Sequence, residues 1–106
     1  MDGHTPPQDV ATAAQRALRW IEEGRQGSGF TEVGHHRAQQ LGAREAMSDD
    51  DVKRMKNYFA RHQHDAEAPG FTRGDEGYPS AGRVAWDAWG GDPGRAWVQQ
   101  KQFDDL

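Results

Sequence analysis

The stretch Gly70–Trp97, GFTRGDEGYPSAGRVAWDAWGGDPGRAW, decides the fold. Its first part sets Gly70, Gly74, Gly77 and Pro79 around Phe71 and Tyr78, which predicts an ordered Gly/Pro/aromatic loop rather than a disordered tract. Ser80 then stands where an N-cap belongs, and a short helix is expected through Trp89, stopped by Gly90 and Gly91. Asp92-Pro93 predicts a restart, with Asp92 as cap and the proline in the first turn, for a last helix that passes Trp97 and ends near Gln102. The double glycine lets the two helices meet at a sharp corner. Trp86 and Trp89 share a helical face, so these rings are expected to build the core; a tryptophan left exposed would instead anchor a partner. Asp87 is placed to pair with Arg83 or Arg95.

Upstream, Ser48 and Asp51 have the spacing of a capping box, and Asp49 and Asp50 suit the positive end of a helix. Val52, Met55 and Phe59, with His62 as a further candidate, form that helix's buried stripe. Before it, Thr31 is a candidate cap for a segment running to Ala46 whose pattern, Val33, Ala38 and Leu41, is interrupted by Gly34 and Gly42. A two-strand pairing near Phe30 to Val33 is the alternative there. The first helix is expected from a cap at Asp9 to a stop at Gly24, with Val10, Ala13, Ala14, Ala17, Leu18 and Ile21 on one face and Trp20 folding over its edge. The glycines of Gly24 to Gly29 make the connector.

These elements predict a mainly α fold, a compact bundle of four to five short helices. They divide the chain into a flexible N-terminal arm (1–8), a single helical domain (9–102) and a C-terminal tail (103–106). The expected core is Leu18, Ile21, Val52, Met55, Phe59, Val84, Trp86 and Trp89. At 106 residues, such a domain buries only about 65% of its unfolded surface. Its 34% hydrophobic content fits helices with wet outer faces.

Composition narrows the function classes. Thirteen Lys+Arg against seventeen Asp+Glu give a net charge of -4, a poor global match for a phosphate backbone. The absence of cysteine excludes disulfides, thiolate metal sites and cysteine nucleophiles. No run approaches the ~20 apolar residues of a membrane span, so no membrane role is expected. His62, His64 and Asp65, with His35 and His36 as further donors, lack the spacing of a known zinc motif, and ordinary surface histidines explain them better. Asp75 and Glu76 are adjacent loop acids that could bind a cation or move protons, but neighbouring loop side chains usually diverge. No nucleotide-binding or hydrolase signature is present.

The segments YFARHQHD, TEVGHHRAQQL and GFTRGDEGYPSAGRVAWDAWGGDPGRAW resemble a small module of uncharacterised tailed-bacteriophage proteins. The module also occurs within head-region and maturation-protease polypeptides. The resemblance runs roughly from Ala17 to Trp97 and departs at HQHDAEAPGF, where the module often has a shorter stretch. It implies a phage or prophage origin and carries no catalytic residue, since the chain shows no protease region.

The resulting expectation is a non-enzymatic protein-binding module, acting in virion assembly or on a host protein, in the host cytoplasm or the virion. Its partner-binding residues would be Phe71, Arg73, Asp75, Glu76, Tyr78, Trp89 and Trp97; no cofactor, metal or catalytic residue is assigned. The alternative is a nucleic-acid-binding accessory protein using Arg16, Arg19, Arg37, Lys53, Arg54 and Lys56. A metal-dependent enzyme built on His62, His64 and Asp65, or on Asp75 and Glu76, is the weakest option.

Overall fold

A computed structural model describes residues 3–27 and 29–104. Five α-helices are found there: α1 (Gln8–Glu22), α2 (Glu32–Gly42), α3 (Asp49–His62), α4 (Ala81–Ala88) and α5 (Gly91–Val98). Two 3-10 turns, Gln63–Glu67 and Lys101–Phe103, follow α3 and α5. The fold is the mainly α bundle that the sequence predicts. Among the described residues there is no strand, so the pairing considered at Phe30 to Val33 does not form; Phe30 instead precedes α2 and Val33 is the large hydrophobic left 58% exposed.

α1 is the central helix and packs against α2, α4 and α5. Its buried face is Val10, Ala11, Ala13, Ala14 and Ala17, and short side chains permit close approach by neighbouring backbones. One close approach is at the corner between α4 and α5. Gly90 has φ 112° and Gly91 φ 66°, values that favour glycine. A Cβ on Gly90 would also lie 3.0 Å from Gly94 Cα and 3.1 Å from Val10 Cγ1. Leu18 and Ile21, expected in the core, are only half-buried, and Leu18 packs against the core from its edge.

Local caps follow the sequence closely. The Ser48–Asp51 capping box is complete, with Asp51 N donating to Ser48 Oγ at 3.1 Å and Ser48 N to Asp51 Oδ2 at 3.3 Å. Thr31 caps α2 through Gly34 N, and Ser80 caps α4 through Arg83 N. Two expected caps are corrected. Pro7, not Asp9, occupies the N-cap of α1, and Gly90 holds that place before α5. Asp92 lies inside the first turn of α5, where its carboxylate accepts the indole N–H of Trp86 at 2.9 Å and clamps the corner. α5 stops at Val98, short of the expected Gln102.

The core gathers Val10, Leu41, Met47, Val52, Met55, Tyr58, Phe59, Phe71, Trp86, Trp89, Trp97, Val98 and Phe103. Both proposed domain limits need correction at the described residues. The stretch from His4 to Pro7 is tied down: His4 and Met47 exchange backbone hydrogen bonds of 2.8 and 2.9 Å, Arg44 Nε donates to the Pro6 carbonyl at 2.8 Å, and Pro6 is buried. Phe103, assigned to the tail, is fully buried edge-on to Trp97 at 5.4 Å and to His4 at 5.0 Å. An apolar ring near a chain end gains as much from burial as one in the middle.

Candidate functional site

The loop Phe71–Pro79 leans on the C-terminal half of α1, and the two enclose a groove of about 430 Å³. Arg16, Arg19, Trp20 and Glu23 line it from α1, Arg73 and Tyr78 from the loop, and Arg83 from α4. Behind two of these arginines lies Asp87, a carboxylate with no exposed surface. Arg16 Nε donates to Asp87 Oδ2 at 2.8 Å, and Arg83 Nε donates to Oδ1 at 3.2 Å. Arg83 Nη1 also donates to the Phe71 carbonyl at 3.0 Å. Burial pushes the Asp87 carboxyl above the usual range, against the opposing pull of the two guanidiniums.

The aromatic wall completes the arrangement. Trp20 and Tyr78 meet edge to face at 5.6 Å. Arg16 sits 5.8 Å over Trp20, and Arg83 lies 5.6 Å from the Tyr78 ring and 5.2 Å from Phe71. These contacts fix the planes of both guanidiniums, so little side-chain freedom remains to be lost on binding. Both Nη groups of Arg16 and the Nη2 of Arg83 are without a hydrogen-bond partner among the described residues. Arg19 and Arg73 are exposed, and neither forms an ion pair with a described residue. Glu23, the groove's exposed acid, is engaged by Arg25 at 2.7 Å. The groove is therefore locally basic on a chain whose net charge is -4.

The expected partner-binding residues divide in two. Arg73 and Tyr78 line the groove, and Asp75 and Glu76 are exposed on the loop beside it. Phe71, Trp89 and Trp97 are core residues, which corrects their placement on a binding surface. Phe71 packs edge-on to Trp86 at 5.6 Å, since a ring that orders a loop does so by leaving water. Trp20 and Arg83, absent from that set, belong to the groove. The signal for Trp20 was its place just off the apolar stripe, one helical turn after Arg16.

The expected nucleic-acid residues do not form one patch. Arg16 and Arg19 are in the groove, whereas Arg37 and Arg54 line a different depression with Asp51, and Lys56 lines a third beside Phe59. Arg37 is buried, paired with Asp51 at 3.0 Å and placed 5.3 Å over Trp89. Lys56 Nζ donates to the Phe103 carbonyl at 3.1 Å, and Lys53 is exposed on α3.

A second cleft, about 330 Å³, lies between the start of α2, the end of α3 and α4. Its aromatic walls are largely engaged in packing: contacts run from Arg37 to Trp89, from Trp89 to Tyr58 at 4.7 Å and from Tyr58 to His62 at 4.5 Å. The Tyr58 hydroxyl is buried without a partner among the described residues. Burial, with the carboxylates of Asp65 and Asp87 nearby, pushes its ionisation far up. His62 and His64 each approach Asp65, at 3.3 and 3.4 Å, but among the described residues no three His, Asp or Glu side chains are grouped to hold a metal ion.

No described helix is long and apolar enough to cross a membrane. No family model matches the chain, and neither does any curated protein or solved structure.

Proposed function

We propose that this chain is a non-enzymatic protein-binding module of phage or prophage origin, acting in virion assembly or on a host protein. The observation that carries the reading is the groove between α1 and the Phe71–Pro79 loop, where fixed arginines with unused donors stand beside a half-buried Trp20–Tyr78 pair. Arginine and aromatic side chains held rigid at a concave surface suit recognition. The groove's arginines keep their protons and are poorly suited to proton transfer. Nucleic-acid binding is the second reading. It draws support from Arg16 and Arg19 alone, because the other four basic residues face elsewhere.

The test is affinity capture on the intact chain from phage-infected and uninfected host lysates, with and without nuclease. Hydrogen exchange on the recovered complex then locates the contact. A protein retained after nuclease, with protection at residues 72–78 and along the second half of α1, supports the proposal. Loss of the captured material on nuclease treatment, or protection centred on the Lys53 and Arg54 face of α3, overturns it.

A further inference from the structure

Building on the protein-binding reading, we infer that the groove takes a short acidic peptide segment, with carboxylates meeting Arg16, Arg19, Arg73 and Arg83 and an intervening side chain resting on Trp20 and Tyr78. Charge complementarity is the first reason. Four arginines line the groove against Glu23, which Arg25 engages, and Asp87, which is buried beneath two of them.

Donor geometry is the second. Asp87 holds Arg16 and Arg83 by their Nε atoms, which leaves both Nη groups of Arg16 and one of Arg83 to meet an incoming carboxylate. Guanidinium groups recognise carboxylates through paired N–H donors, and a guanidinium already fixed loses less freedom in doing so. Asp87 thus acts as a positioning residue for the two readers above it. Arg19 and Arg73 are the adaptable pair at the rim.

A continuous phosphate backbone fits less well. It carries a charge at every step, and here the loop places the exposed acids Asp75 and Glu76 close after Arg73. Single-strand binders also offer ring faces on which successive bases stack. Trp20 and Tyr78 instead meet nearly perpendicular, at 88°. A peptide can set its acids only where arginines wait and stay neutral elsewhere.

The experiment is an NMR titration of the intact, nitrogen-15-labelled chain, following the indole N–H signals of the four tryptophans and the Nε–H signals of Arg16 and Arg83. The probes are a short peptide alternating glutamate and glycine around one leucine, its glutamine counterpart, inorganic phosphate, and a short oligothymidylate. The expected result is a shift of the Trp20, Arg16 and Arg83 signals by the glutamate peptide alone, with Trp86 and Trp97 unmoved. The affinity should fall with added salt, and Arg19→Glu or Arg73→Glu should weaken it about fivefold or more. Both positions are exposed and form no ion pair with a described residue, so an unchanged spectrum elsewhere shows that the variants fold.

An equal response to the glutamine peptide, no response to any probe, or saturation by inorganic phosphate at lower concentration than the peptide overturns the inference. Tighter binding of the oligothymidylate overturns the protein-binding reading with it. If a partner protein is captured as well by Arg19→Glu and Arg73→Glu as by the parent chain, the acidic-peptide inference fails while the binding-module reading stands.

Discussion

Two arginine–aspartate centres in the molecule solve the same problem differently. At the start of α3, Asp51 meets Arg37 at 3.0 Å and Arg54 at 3.5 Å. Beneath the groove, Asp87 meets Arg16 and Arg83 at 2.8 and 3.2 Å. In the first centre the carboxylate is partly exposed and the arginine Arg37 is buried; in the second the carboxylate is fully buried and the arginines reach toward solvent. That inversion separates a packing contact from an outward-facing one. A part-exposed acid holding a buried base closes a helix–helix seam, whereas a buried acid beneath part-exposed bases presents cationic donors to the outside.

Removing each acid in turn gives the sharpest contrast. Asp87→Ala leaves two guanidiniums without their common partner in a partly desolvated site, and breaking such a pair costs about 3 kcal/mol, a large part of a small domain's stability. Urea unfolding at neutral pH should show that loss. Asp51→Ala should cost less, about 1 to 2 kcal/mol, made up of half a capping box and the ion pairs with Arg37 and Arg54. Arg37 keeps its hydrogen bond to Gln40 Oε1 at 3.0 Å and its place over Trp89. Equal losses from the two variants would mean that burial of the carboxylate does not distinguish the centres.

The same contrast explains what the sequence made legible. The α3 centre is half local: Ser48, Asp51 and Arg54 lie within two turns, so the capping box could be found by spacing. The groove joins residues 16–23 to residues 73–87, and its legible contacts are the i, i+4 pairs Arg16–Trp20 and Arg83–Asp87. The aromatic loop and both serine caps were likewise readable because turn and cap chemistry is local. Which rings face water was not. Phe71 looked like a surface anchor and is core, because exposure depends on what packs from elsewhere in the chain, here Trp86. Tyr58 escaped for a related reason. A stripe drawn through Val52, Met55 and Phe59 points to His62, but the α3 seam is wide enough to bury Tyr58 too, where it stacks on Trp89.

Acid titration offers the smallest effect and a test of sign. Burial pushes Asp51 up, but the hydrogen bond and charge of Arg37 and the two hydrogen bonds with Ser48 outweigh it, so its carboxyl lies below the ordinary aspartate value of 3.8. A lowered folded value means that Asp51 contributes stability above that point and loses it as pH falls through the folded value. Asp87 lies above 3.8 because burial prevails over its arginines, so its contribution is complete below the ordinary value and declines as pH rises through the folded one. Neutral isosteres separate the two. The stability cost of Asp51→Asn should grow between about pH 3 and pH 7, and that of Asp87→Asn should shrink over the same interval. Carbon-13 titration of the two carboxyl carbons in the parent chain checks the order directly. If Asp87 titrated below Asp51, its two guanidiniums would outweigh its burial.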